Sequence, residues 1–205
     1  MVIGLTGGIG TGQTQVSRIL EELGASVINA DLLGHEAYMP QTETWRRIVA
    51  AFGEGVLTEG GEVDRKKLGA LVFGDPEALE RLNGIMHPRI REMIEERIAR
   101  LKSEGQRVVV VEAALFVEAN WTSLADELWV TAAREDLVIE RLKNRANMDE
   151  DAIRSRIRSQ MPQEERLGYA DVVIENEGGL DDLKHRVHQL WTSRVMAEKE
   201  SRIKK

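Results

Sequence analysis

The sequence predicts an α/β fold in which a parallel five-stranded sheet carries helices on both faces. Five short apolar runs are separated by helical stretches, an alternation that parallel sheets require for their crossovers. The first run, Val2-Ile3-Gly4-Leu5-Thr6, leads straight into a glycine loop and then a helix with Val16, Ile19, Leu20 and Leu23 at helical spacing. A later run, Arg107 to Glu112, holds four consecutive valines, the composition of a central strand covered on both sides. With 205 residues, the chain fits one domain over 1–205 with an insertion or two.

In chain order, Ala25 to Ile28 reads as the second strand, ended by Asn29-Ala30-Asp31. Residues 34 to 53 read as helix in pieces, broken at Pro40, and a turn-rich stretch follows through Gly53, Gly55, Gly60 and Gly61. Asp75-Pro76 supplies an N-cap and a first-turn proline, and Pro88 should restart or kink the helix that runs on to about Leu101. Leu128 to Thr131 and Val172 to Ile174 complete the strands, and residues 180 to 199 form a final helix before a frayed tail.

Residues Gly7, Gly8, Ile9, Gly10, Thr11, Gly12, Gln13 and Thr14 lay out a phosphate-binding loop, except that Gln13 stands where the loop lysine is expected. Glycines let backbone N–H groups turn inward around a polyphosphate, and the helix start that follows favours negative charge. The Thr14 hydroxyl is placed to ligate the Mg2+ that travels with ATP. A glutamine amide can donate hydrogen bonds to the phosphates but brings no charge, so turnover is expected to fall by roughly a hundredfold to a thousandfold, with binding suffering less.

Net charge is −7 and the pI near 5.3, against a general nucleic-acid or membrane-surface binder. Trp45, Trp121, Trp129 and Trp191 are scattered, without a base-stacking pattern. The chain has no cysteine, which removes disulfides, thiolate metal sites and thiol nucleophiles and is compatible with a reducing cytoplasm. No secretory signal is expected, and the most apolar stretch, Val108 to Val117, is interrupted by Glu112 and shorter than the ~20 residues of a membrane span.

Asp31, at a strand's carboxyl end, is the candidate to accept the proton of an attacking hydroxyl, with a helix N-cap as the competing role. Glu112 has two readings, approach to the magnesium shell or pairing with an arginine. Arg141, Lys143, Arg145, Arg154, Arg156 and Arg158 form an island of positive charge, in which Arg141 and Arg145 share a helix face suited to clamping phosphates. Arg154 and Arg158 read as a solvated, ion-paired face. His185 and His188 read as surface residues of the last helix, and His87 before Pro88 as a capping or packing residue that could instead reach a ligand.

Taken together, Leu5-Thr6-Gly7-Gly8-Ile9-Gly10, Val27-Ile28-Asn29-Ala30-Asp31, Val63-Asp64-Arg65, His87-Pro88, Glu112 to Glu118, Arg141-Leu142 with Arg145, Arg156-Ile157 with Gln160-Met161-Pro162, and Ala170 to Ile174 with Asn176 and Gly178 resemble the dephospho-coenzyme A kinase family over nearly the whole length. The resemblance implies a P-loop kinase fold with a helical substrate-binding insertion at 34–100 and a lid at about 141–168. It implies that the 3'-hydroxyl of dephospho-CoA attacks ATP, giving CoA and ADP in the cytoplasm. On this pattern Asp31 matches the catalytic aspartate, Thr14 the Mg2+ ligand, and Arg141 and Arg145 the lid arginines; Arg65 and His87 match residues that hold dephospho-CoA, and Asn176 falls near the adenine of ATP. The chain departs from the pattern at Gln13, Gln15, Asn29 and Ala114. A rival reading, resting on Gln13, is a non-catalytic nucleotide- or CoA-binding homologue, and a kinase of another nucleoside-like acceptor is a third.

Overall fold

The computed structural model describes residues 1–146 and 149–196, with the side chains of Arg145 and Ala146 outside the described set. Strand β1 (Val2–Gly7) is buried throughout and feeds α1 (Gln13–Glu22), whose Val16, Ile19 and Leu20 turn one face inward. Next come β2 (Ser26–Asn29), α2 (Ala30–Ala37) and α3 (Glu43–Phe52), with Asn29 and Thr42 accepting the capping bonds of the two helices. Helix α4 (Arg65–Val72) is capped by Asp64, which accepts from the N–H groups of Lys66 and Lys67. Helix α5 (Pro76–Ser103) opens on Asp75, which accepts from Glu77 and Ala78. It runs through Pro88 without a restart, because twenty-eight residues of helix give up only the single bond that a proline cannot donate.

The chain then enters β3 (Val109–Glu112), β4 (Glu127–Ala132), α6 (Glu135–Ala146), α7 (Glu150–Arg158), α8 (Gln163–Leu167), β5 (Val172–Glu175) and α9 (Leu180–Leu190). A π-helical turn over Trp191–Met196 follows, so the regular final helix ends earlier than the sequence suggests. The rest of the expected helix, with the tail, lies outside the described residues.

The five strands form one parallel sheet in the order β2-β3-β1-β4-β5. The valine-rich β3 is interior, but the middle position belongs to β1, which pairs with β3 through Leu5 and Glu112 and with β4 through Leu5 and Trp129. A strand flanked on both sides must be apolar whichever interior place it takes, so composition alone does not rank β1 and β3. One face of the sheet is covered by α1 and α9, with Ile3, Leu5, Val110, Trp129 and Ile174 meeting Val16, Leu20, Leu183 and Val187. At Gly4 the ring of Phe116 fills the space of a side chain, a Cβ there falling 2.6 Å from it, and α8 packs against β4.

Contacts divide the chain into two units, residues 1–28 with 100–205, and residues 29–99. The second has its own core, in which Ile48, Val56, Val63, Leu68, Val72 and Ile85 are buried. Among the described residues, no helix is long and apolar enough to cross a membrane.

Candidate nucleotide site

The glycine loop leaves the sheet through a slot with no room for side chains. A Cβ on Gly7 would stand 2.0 Å from Thr131 Oγ1, and one on Gly12, whose φ is +99°, would stand 2.2 Å from Asn176 Nδ2. Cross-bracing holds the loop between them. Thr11 Oγ1 donates to the Gly8 carbonyl at 2.7 Å and lies 2.7 Å from Thr131 Oγ1, while Asn176 Nδ2 donates to the Thr11 carbonyl at 2.9 Å. Val138 and Leu142 of α6 close over Gly10, where a Cβ would come within 2.9 Å of Val138 Cγ1. Helix α1 starts on Gly12 with no side-chain cap and no acidic residue in its first turn, leaving its positive end facing the loop.

Gln13 Nε2 donates to the Leu5 carbonyl at 3.0 Å, an oxygen that also accepts from Ala113 N–H at 3.0 Å. One of its two N–H bonds is therefore committed to the end of β1 instead of pointing at phosphate. Thr14 Oγ1 donates to Glu112 Oε1 at 3.1 Å, with Thr14 exposed and Glu112 buried. This hydrogen bond sets Glu112 beside the loop. A hydroxyl and a carboxylate side by side are hard oxygen donors of the kind Mg2+ takes. No cluster of three or more His, Asp and Glu side chains able to hold a metal occurs among the described residues.

On the other side of the loop, Arg141 Nη2 donates to the Gly178 carbonyl at 3.3 Å and Asn176 Oδ1 at 3.5 Å. Its Nη1 is buried and has no partner among the described residues. Both ends of the Asn176 amide are thus spent on protein groups, so this side chain braces the loop in addition to bordering the cleft. Arg145 follows one turn after Arg141 on α6, but its side chain lies outside the described residues. Gln160 Oε1 accepts the Ile9 N–H at 2.8 Å. Sequence reasoning quoted Gln160 only as part of a motif, and nothing in its spacing signals that it reaches the loop. Loop, Arg141, Asn176 and Gly178–Leu180 surround a cleft of about 710 Å³, within the usual range for a small-molecule site. Arg154 pairs with Glu150 and Glu135, as a solvated face should, and His185 and His188 are exposed on α9.

Asp31, Arg65 and His87 belong to the 29–99 unit. Asn29, not Asp31, caps α2, its side chain accepting from Leu32 N–H at 3.0 Å. Asp31 sits in the first turn, so the competing N-cap reading is corrected: the cap falls two residues earlier, where the chain still has extended backbone. Asp31 is exposed as a residue, yet partial removal of its carboxyl from water pushes its pKa up, opposed by the positive charge of His35 and of Arg65. The Tyr38 hydroxyl lies 2.9 Å from His35 Nδ1 and is also pushed up by burial against the pull of Arg65. Asp31, His35, Tyr38 and Arg65 thus form one electrostatic group, of which the sequence reading found two. Half-buried His87 has its pKa lowered by burial. A cleft of about 400 Å³ elsewhere in this unit, lined by Glu36, Thr42, Arg47 and Arg89, includes none of the expected site residues.

Comparison with known proteins reaches the whole arrangement. The family described as dephospho-CoA kinase matches residues 1–182. A Geobacter sulfurreducens protein named dephospho-CoA kinase is 45% identical over 193 residues, covering 94% of this chain and 98% of its own. A Thermus thermophilus crystal structure superposes with a TM-score of 0.80 at 31% identity, covering 95% of this chain and 97% of that one. The dephospho-CoA kinase of Campylobacter jejuni gives 0.69 at 28% identity, covering 92% and 94%. A strand, glycine loop and helix set in this sheet, matched at such length and identity, place the chain in the dephospho-CoA kinase family.

Proposed function

We propose that this chain phosphorylates the ribose 3'-hydroxyl of dephospho-CoA with ATP, giving CoA and ADP, the last step of coenzyme A synthesis, in the cytoplasm. The observation that carries the reading is the braced loop with the Thr14–Glu112 pair at its helix end, a cradle for a triphosphate and its cation. Family membership favours a kinase over a binding-only homologue. Loop amides and the start of α1 hold the phosphates, and Arg141 lends charge to them from α6. Thr14 and Glu112 would hold Mg2+, which when bound neutralises phosphate charge. Within the 29–99 unit, taken as the substrate-binding insertion, Asp31 accepts the proton of the 3'-hydroxyl as its oxygen bonds to the γ-phosphorus and the bond to the β,γ-bridging oxygen breaks. Burial raises the pKa of Asp31 and so makes it a stronger base, while the charges of His35 and Arg65 oppose that rise. Arg65 and His87 help hold the acceptor, and Asn176 keeps the loop in register beside the adenine.

Gln13 sets the expected rate. Its amide is turned to Leu5 and carries no charge, so acceptor-dependent turnover should be slow and should rise by about a hundredfold to a thousandfold in Gln13→Lys. ADP release is measured with Mg2+ and ATP, with and without dephospho-CoA, for both proteins. Turnover in the parent removes the binding-only reading; turnover in the lysine variant alone makes this chain a binder; no acceptor dependence in either overturns the substrate assignment.

A further inference from the structure

Gly8, Ile9 and Gln160 border the loop cleft and also a second cleft of about 490 Å³, whose wall includes Arg166. Arg166, on the short α8, is 2% exposed. Its Nη2 meets Glu118 Oε1 at 3.3 Å, a long contact for an ion pair, while Arg166 Nε and Glu118 Oε2 have no partner among the described residues. Its Nη1 lies 3.5 Å from where a Cβ on Gly8 would be, and Gln160 Oε1 lies 3.7 Å from the same point while holding the Ile9 N–H. A buried guanidinium with an orphaned N–H and one loose counter-charge is costly to a fold unless something else meets it. The neighbour it faces is the strand end of a phosphate loop that has no lysine and whose glutamine is tied to Leu5.

We infer that Arg166 is a phosphate-facing cation at the Gly8 end of the loop, bearing on the terminal phosphoryl group of the triphosphate and carrying part of the charge that a lysine at position 13 would bring. Glu118 holds the group in place through one edge and leaves Nε and Nη1 for the ligand. The inference rests on the kinase reading for its effect on turnover, but not for its effect on binding.

The test is calorimetric titration with Mg-ATP and with Mg-ADP of the parent, Arg166→Met, Arg166→Lys and Glu118→Gln, each checked by thermal denaturation without nucleotide, and repeated in Gln13→Lys. Arg166→Met should weaken Mg-ATP by about tenfold to a hundredfold and leave Mg-ADP nearly unchanged, with Arg166→Lys between. The loss should be smaller in Gln13→Lys, where a second cation shares the phosphate. Glu118→Gln should keep Mg-ATP binding, since the guanidinium remains. Folded variants with an unchanged ratio of ATP to ADP affinity, or an equal loss in both backgrounds, would overturn the inference and leave Arg166 as the anchor of α8. Should both Arg166 variants fail to fold, the Arg166 Nε–H resonance of the parent decides: it should shift with Mg-ATP and not with Mg-ADP. The predicted binding pattern without any response to dephospho-CoA would refute the acceptor and leave Arg166 assigned.

Discussion

The glycine loop and the Asp31 group are built on opposite plans. Around the loop several polar groups are answered from within: Thr11 by Thr131 and Gly8, Asn176 by Thr11 and Arg141, Ile9 by Gln160, Gln13 by Leu5. Around Asp31 the carboxyl is acted on by burial, which raises its pKa, and by the charges of His35 and Arg65, which lower it, on a helix with 62% of Leu32 exposed beside it. The first plan suits an anion whose shape never changes, since a rigid cradle loses little on binding. The second suits a proton acceptor, whose use lies in a pKa that its surroundings tune.

Breaking the second plan should cost most. Asp31→Asn removes the base while keeping the shape, and acceptor-dependent turnover should fall by about a hundredfold to ten-thousandfold with the melting temperature and Mg-ATP affinity held, which stopped-flow or steady-state ADP release checks. Equal loss of Mg-ATP affinity would instead place Asp31 among the phosphate groups. Breaking the first plan shows in stability and binding together. Gly12→Ala puts a Cβ onto Asn176 Nδ2 at positive φ, and overpacking should cost about 1–3 kcal/mol in denaturant unfolding along with Mg-ATP affinity.

The smallest effect is a pH dependence. Burial keeps His87 below its ordinary pKa, so the folded state binds fewer protons than the unfolded one in the histidine range. Its contribution to stability is full above that range and is lost as pH falls through it, and His87→Gln should flatten this slope in unfolding curves. Asp31 has the opposite sign: its raised pKa adds stability as pH falls through it, and the same descent should shut down turnover above the usual carboxylate range. Arg65→Met should move that acid limb higher, because one charge opposing the shift is gone.

The sequence carried the sheet well because five apolar runs and a strand-loop-helix order are local signals. It carried the positions of Gly7, Gly12 and Thr14 in the loop for the same reason. Gln160 and Arg166 were silent because they reach the loop across about 150 residues of chain, and no periodicity records that. His35 and Tyr38 escaped notice since a histidine and a tyrosine three apart on a helix announce nothing until Arg65 is folded beside them. The competing N-cap role of Asp31 fell instead to Asn29, two residues earlier, which has the same capping chemistry as an aspartate.

Val138 and Leu142 close over Gly10 and leave no space there for a side chain. With no room for a side chain above that glycine, the opening turns of α6 rest directly on the loop. Arg141, one residue before Leu142, rides on that same stretch of helix, which sets its guanidinium beside Gly178 and Asn176 at the mouth of the cleft.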